Sequence, residues 1–271
     1  MSRYYNRHSV GGIDWCDYTF NPITGCKRGC DYCYARRIAE RLRGRAFPHG
    51  FDPTFYPRRL AFPPPYKASR IFLGSMGDLC GDWQWRDDAL DALWSPNGVQ
   101  GKVFDYCAQH RKHQYIILTK NPGGLRQARF LPDNAVFGVS VSGDGENNLR
   151  RLLHLRELHG RGITPRVVVS YEPALSPLPE LWEVDDDTGW LIIGAQTGLG
   201  AKPVSYHHVQ DAVKMAYERG WRAWVQNNVI KQWPHQTVLV DSGGQLPWGE
   251  WATVAVEEPW PQDTLSMPEV N

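Results

Sequence analysis

Three cysteines, Cys26, Cys30 and Cys33, fall within eight residues at C-x3-C-x2-C spacing. Three thiolates can hold three irons of a cubane [4Fe–4S] cluster. Full ligation takes four, so the fourth iron is left open to a small molecule. Tyr32 places an aromatic side chain directly before the last thiol. Other uses of the same residues stay open at this level. Joined by Cys16, the three form an all-thiolate zinc set, although zinc ligands usually come as two separated C-x2-C-like pairs. An electron-transfer cluster wants its fourth cysteine at a family spacing, and none follows closely. A disulfide framework does not suit a 271-residue chain whose opening residues are polar.

The remaining thiols, Cys16, Cys80 and Cys107, form no second motif, and free cysteine commonly serves as a small buried hydrophobe. Cys80 follows the Ser75–Asp78 segment closely. If it faces the same site, its S–H is a candidate hydrogen donor there.

The elements that must position these groups read as an α/β chain. Nearly continuous apolar runs, the pattern of parallel strands buried on both faces, span Tyr18 to Thr24, Arg70 to Ser75, Gln114 to Thr119 and Ala135 to Ser142. Further runs span Arg166 to Tyr171, Trp190 to Gly194 and Arg222 to Gln226. Helices are expected over Ala35 to Leu42, Asp87 to Trp94, Val103 to His110, Glu146 to Leu158 and Tyr206 to Arg219. The last carries Val209, Ala212, Val213, Ala216 and Tyr217 on one stripe, with Gly220 as its stop. Strand-then-helix order with right-handed crossovers gives a full or partial (β/α) TIM-type barrel. Residues 12–233 form its core in a single domain of 1–271, and 234–271 form a capping tail rich in Pro, Gly and Trp. Residues 46–66 read as an irregular connection over the mouth. Trp83, Trp85 and Trp233 are expected near strand ends, where they line a pocket.

Functional side chains of such a barrel project from the C-terminal strand ends. Those ends here are the three cysteines, Ser75 to Asp78, Thr119-Lys120, Ser140 to Ser142, Ser170 to Glu172 and Gly194 to Gly198. Polar groups in succession at the ends of buried strands are costly unless they bond something. Ser140 and Ser142 share a side of their strand, and Ser140 lies deeper.

These blocks carry a resemblance. Asn21-Pro-Ile-Thr-Gly-Cys26 with Cys30, Cys33 and Ala35, Gly74-Ser-Met-Gly-Asp78 and Leu118-Thr-Lys-Asn-Pro122 resemble the radical S-adenosylmethionine (SAM) superfamily. Gly138-Val-Ser-Val141, Ser170-Tyr-Glu-Pro173, Ile193-Gly-Ala-Gln-Thr-Gly198 and Val225-Gln-Asn-Asn228 extend the likeness over about residues 12 to 233. The branch is the phage Gp37/Gp68-like, three-Cys-motif group (DUF5131). Many of its members space the first two cysteines more widely than this chain does.

The resemblance implies a [4Fe–4S] cluster on Cys26, Cys30 and Cys33, with SAM on the open iron cleaved reductively to a 5′-deoxyadenosyl radical. It implies Tyr32 against adenine or offering its backbone to it, Ser75 and Asp78 at the SAM ammonium, and Lys120 at its carboxylate, as in spore photoproduct lyase-like enzymes. Ser140 is assigned to the ribose or carboxylate, and Glu172 to ribose hydroxyls or substrate; the other reading of Glu172 is a plain ion pair. An external one-electron reductant of the flavodoxin or ferredoxin type follows.

Charge and composition bound the partners. The net charge is +1, yet Tyr34 to Arg70 holds nine Lys/Arg against two Asp/Glu, and six acidic residues but no Lys or Arg follow Lys231. The basic stretch suits phosphates or an acidic partner, or is a solvated helix face. Interleaved Phe47, Phe51, Phe55 and Tyr56 offer stacking for DNA or RNA, against a near-neutral chain. No apolar run approaches a membrane span and no signal-peptide core is evident, so a cytoplasmic setting is expected.

Overall fold

The computed structural model describes residues 4–8, 13–90, 92–127, 131–142, 147–164, 166–179 and 189–232, and the backbone of 237–239 and 245–247. Its strands are β1 (Tyr5–Arg7), β2 (Tyr18–Phe20), β3 (Ile23–Thr24), β4 (Thr54–Phe55), β5 (Arg70–Leu73), β6 (Trp85–Asp87) and β7 (Leu93–Trp94). They continue as β8 (Gln114–Thr119), β9 (Ala135–Val141), β10 (Val168–Tyr171), β11 (Trp190–Ile193), β12 (Arg222–Val225), β13 (Thr237–Leu239) and β14 (Gln245–Pro247). The helices are α1 (Tyr34–Arg41), α2 (Pro96–Gln109), α3 (Asn148–Gly160), α4 (Tyr206–Glu218) and α5 (Asn227–Ile230).

Eight strands form one sheet in the order β1-β2-β5-β8-β9-β10-β11-β12. β1 runs antiparallel to β2, and every later pairing is parallel. From β2 onward each strand is added beside its predecessor in chain order, so the order never reverses as it does in a doubly wound sheet. β1 and β12 are its paired edges, so hydrogen bonding among the described residues does not close a full barrel.

Side-chain alternation divides the sheet into two faces. On one, Ile71, Leu73, Tyr115, Ile117 and Phe137 meet Val99, Val103 and Phe104 of α2. On the same face, Val139, Val141, Val169, Tyr171, Leu191, Ile193 and Val225 meet Leu152 and Leu155 of α3 and Val209, Ala212, Val213 and Ala216 of α4. The opposite face presents Ile116, Val136, Val168, Trp190, Ile192 and Trp224, and is filled by Trp15 and Cys16. Trp15 packs on Phe72 and edge-on to Trp190. Asp14 beside it accepts from Trp224 Nε1 at 2.8 Å and from the Asn227 N–H at 2.8 Å. A short N-terminal segment thus reaches from the β2 side to the end of β12 and covers the helix-free face.

Several expectations need correction. The first expected strand is broken at Asn21-Pro22 into β2 and β3, since proline has no N–H for the ladder. The helix expected over Asp87 to Trp94 is not formed: its described ends belong to β6 and β7, which pair antiparallel as a hairpin. Asp87 accepts from the N–H groups of Ala89 and Leu90 and from Trp94 Nε1, fixing a local turn. Residues 46–66 are not wholly irregular: β4 joins a four-stranded sheet, β3-β4-β6-β7, and a 3-10 turn follows at Pro57–Ala61. Trp83 and Trp85 are core residues rather than pocket lining, while Trp233 lies outside the described residues.

Candidate functional site

The cysteine loop leaves β3 through two glycines' worth of close contact. Gly25 has φ +87°, and a Cβ there would stand 2.3 Å from the Asp52 carbonyl oxygen. It pairs with Gly77 in an isolated bridge and donates its N–H to the Met76 carbonyl at 2.9 Å. The loop is therefore locked onto the turn after β5, whose backbone must approach without side chains. Cys33 is the N-cap of α1, and Ala35 and Ala39 bury the helix's inner side against Phe51, with Cys26, Cys33 and Met76 packed around them.

All three thiols are free and half-buried. Each sulfur accepts a hydrogen bond: Cys26 from the Arg28 N–H at 3.5 Å, Cys33 from the Arg36 N–H at 3.4 Å, and Cys30 from Lys120 Nζ at 3.7 Å. At Cys26 the Arg28 N–H favours the thiolate form. Burial, followed by the nearby Asp78 carboxylate, opposes this at Cys26, whose thiol is pushed up to about 12. A bound cation relieves such a penalty, because ligation itself drives deprotonation. Among the described residues no three Cys, His, Asp or Glu side chains form a group able to hold a metal ion as they stand. The donor set, soft sulfur on one short loop, nevertheless fits an iron–sulfur cluster in kind.

Around Cys30 the strand ends meet. Lys120, just past β8, donates to Tyr32 Oη at 2.5 Å and to Ser142 Oγ at 3.0 Å, and its Nζ lies 4.5 Å from the centre of the Tyr32 ring. Tyr32 and Ser142 are also hydrogen-bonded to each other. Ser142 is held by Asn148 at the start of α3, which accepts from its N–H at 3.0 Å and donates to its carbonyl at 2.7 Å. Ser142, rather than the deeper Ser140, therefore completes the group; Ser140 contributes its carbonyl to Arg151.

Asp78 is committed within the protein. Its oxygens accept from Thr119 Oγ1 at 2.6 Å, the Cys80 N–H at 3.1 Å and the Lys120 N–H at 3.1 Å, and Arg28 Nε lies 3.4 Å away. It ties the cysteine loop to the ends of β5 and β8. Ser75 is bracketed by the Asn21 side chain at 3.1 and 3.2 Å, and Asn21 also accepts from the Met76 N–H. Asn21 was part of the recognisable sequence block, but its positioning work follows only from the β2–β3 break.

Across the rim, Glu172 after β10 accepts from Gln226 Nε2 at 2.9 Å. Gly194 after β11 leaves the room for this pair, since a Cβ would meet Gln226 at 2.6 Å and Glu172 at 2.7 Å. Burial raises Glu172 from the usual carboxylate range to about 7, against the lowering effects of Gln226 and Lys120. Its plain ion-pair reading is not what the geometry shows, because its hydrogen-bond partner is a neutral amide. Tyr34 exposes its ring (37%), yet its hydroxyl turns inward to donate to the Ser75 carbonyl at 2.5 Å. Gln226 gave no signal in sequence beyond its place in the Val225 to Asn228 block.

Cys80 is a correction. It is fully buried on the helix-covered side with Leu79, Trp83, Trp85 and Leu125, and burial holds its thiol well above the ordinary range. Its side chain lies in that core rather than on the rim, which is where a hydrogen donor to a substrate was expected. The stacking set is corrected likewise: Phe51, Phe55 and Tyr56 are buried, and Phe47 is half-buried against α1.

These features define a class: an α/β protein whose largely parallel sheet gathers a three-thiol loop, a lysine and a half-buried carboxyl on one rim. The chain belongs to the family described as Protein of unknown function (DUF5131), whose model matches residues 10–237. No curated protein and no solved structure matches it. No helix among the described residues is long and apolar enough to cross a membrane.

Proposed function

We propose that this protein is a radical SAM enzyme built on a partial (β/α) barrel, with a [4Fe–4S] cluster on Cys26, Cys30 and Cys33. The observation that carries the reading is the meeting of Cys30 Sγ, Lys120, Tyr32 and Ser142 at the rim. A thiolate loop touching an ammonium group is what a cofactor with both a metal-binding end and a carboxylate requires.

When bound, cluster and SAM together supply a one-electron cleavage that yields a 5′-deoxyadenosyl radical able to take hydrogen from a substrate. The chain's own residues bind and orient. Lys120 is the counterion for the SAM carboxylate, with Ser142 beside it as a second polar contact. Tyr32 fixes the lysine head group and offers its ring. Asp78 holds Arg28 and the Lys120 backbone, so it positions the loop rather than meeting the ammonium itself. Ser75 stays available at the rim through Asn21, and Glu172 keeps a proton to near neutral pH where substrate or ribose approaches. The tryptophan-filled layer of Trp15, Trp190 and Trp224 below excludes water from this side of the sheet.

The zinc alternative draws less support. Its fourth thiol, Cys16, is buried with Trp15 and Trp190, whereas Cys26 and Cys33 pack around α1. A bare electron carrier leaves Lys120, Ser142 and Glu172 without a task. A nucleic-acid substrate loses its stacking argument with the burial of Phe51, Phe55 and Tyr56. Anaerobic reconstitution followed by metal analysis, then reduction with SAM present, tests the proposal. About four irons per chain and release of 5′-deoxyadenosine are expected; colourless protein with one tightly held zinc, inert to SAM, overturns it.

A further inference from the structure

We infer that Ser140, Ser170, Glu172 and Gln226 form a subsite for an organic cation, a protonated amine or guanidinium. That this cation belongs to the substrate rests on the proposed function. Val136 of β9 and Val168 of β10 lie on the helix-free face. Alternation puts Ser140 and Ser170 on that face too, and the two are direct neighbours in the ladder. The ladder then continues one residue past the strands. The N–H groups of Glu172, Gly194 and Gln226 donate to the carbonyls of Val141, Tyr171 and Ile193. Glu172 and Gln226 therefore share the same face, two residues beyond Ser170 and Trp224, and meet across Gly194. Val168, Trp190, Ile192 and Trp224 make an apolar floor beneath them.

The patch is rich in oxygen and short of positive charge. Ser170 is 2% exposed and Gln226 5%. Yet the Ser170 hydroxyl and the Gln226 side-chain oxygen make no hydrogen bond among the described residues. The Ser140 hydroxyl makes none either, its carbonyl alone serving Arg151. Glu172 bonds only the Gln226 amide and makes no ion pair among the described residues. Buried oxygens without partners cost free energy that a ligand's donors recover. Three groups from other elements bear on Glu172. Asp14 of the N-terminal segment adds negative charge, and Tyr34 of α1 offers a hydroxyl. Lys120 past β8 adds positive charge, but its ammonium is held by Cys30, Tyr32 and Ser142. An anion finds no free cation here, and a neutral ligand leaves Glu172 without a counter-charge. An amine or guanidinium supplies both the charge and the N–H donors. Over an apolar floor that pairing is stronger than in water. As the ion pair forms, the Glu172 proton passes to solvent.

The test titrates the reconstituted full chain with butylamine and butylguanidine, and with butyramide as the neutral control. Affinity for both cations should rise about tenfold from pH 6 to pH 8, as Glu172 ionises through about 7. At pH 7, calorimetry in two buffers of different ionisation heat should read about half a proton released per cation bound. Glu172→Gln should lose about tenfold to a hundredfold in cation affinity at pH 8, with all of the pH dependence. Ser170→Ala should lose less. SAM affinity within twofold of the parent shows that Glu172→Gln is folded and that the cation is not SAM's own ammonium. Loss of SAM binding in that variant assigns the subsite to the cofactor and overturns the inference. Cation binding indifferent to pH, butyramide binding as tightly as the amines, or no cation binding at pH 8 also overturns it. Formation of 5′-deoxyadenosine is read on the same samples. Its presence without cation binding overturns this inference alone. Cation binding in its absence leaves the subsite standing and overturns the functional proposal.

Discussion

Lys120 Nζ stands 3.7 Å from Cys30 Sγ, joining the end of β8 to the middle of the cysteine loop. The same ammonium reaches Tyr32 and Ser142, so one charge is shared by three groups from two separate parts of the chain, the cysteine loop and the end of β9. Lys120→Met should leave iron content unchanged and weaken SAM binding about tenfold to a hundredfold, the ~1.5–3 kcal/mol of a charged hydrogen bond. Equilibrium binding of SAM to the reconstituted variant checks this. Unaltered affinity would remove Lys120 from the cofactor site.

Gly25 and Gly77 set where that loop sits. Gly25→Ala places a Cβ 2.3 Å from the Asp52 oxygen and strains a backbone at φ +87°. We expect a loss of about 2–3 kcal/mol, seen as a fall in Tm of roughly 5–10 °C, with poor cluster incorporation. Gly29→Ala is the control: its φ is +76°, but nothing stands within 4 Å, so its fall should be smaller. Thermal unfolding of both variants decides the point.

Glu172 makes stability depend on pH. Its folded value, about 7, lies above the ordinary carboxyl value of 4.5, so the folded state holds a proton that the unfolded chain releases. The resulting stabilisation is fully present below pH 4.5 and is lost as pH rises through 7. Glu172→Gln keeps the neutral partner for Gln226 and removes the titration. Parent and variant should therefore converge in Tm toward pH 5, with the parent falling behind toward pH 8. Parallel curves across that range would contradict the assignment.

The two buried thiols outside the loop give a separate test. Cys16→Ala and Cys80→Ala each remove a small core side chain, at about 1–2 kcal/mol. Both should retain the iron content of the parent and its yield of 5′-deoxyadenosine. Loss of metal in Cys16→Ala would revive the four-thiol zinc site, and loss of product alone in Cys80→Ala would restore its role as hydrogen donor.

Much of the frame was legible where burial on both faces writes itself as a continuous apolar run. β8 coincides with Gln114 to Thr119, and β9 to β12 lie within their expected runs. Local chemistry defeated the pattern elsewhere. Ala89, Leu90 and Leu93 imitate a helical spacing, yet Leu90 and Leu93 are exposed (64% and 62%) because Asp87 nucleates a hairpin turn. Within the site, the type and place of Lys120 and Tyr32 were readable from their positions at strand end and motif. The choice of Ser142 over Ser140 was not, since it depends on Asn148 reaching back from α3. Asp78 was placed correctly but its partners were not, because Arg28 and Thr119 come from other loops. Cys80 failed for a simpler reason: two residues past the rim, the chain has already turned under the helix-covered face.

The central claim is that three thiolates hold a cluster with one iron left for SAM. Electron paramagnetic resonance of the reconstituted, dithionite-reduced protein, recorded with and without SAM, addresses it most directly. The account predicts a reduced [4Fe–4S] signal that changes when SAM is added and vanishes in Cys30→Ala. A cluster signal indifferent to SAM, or no cluster signal in the parent protein, would contradict it.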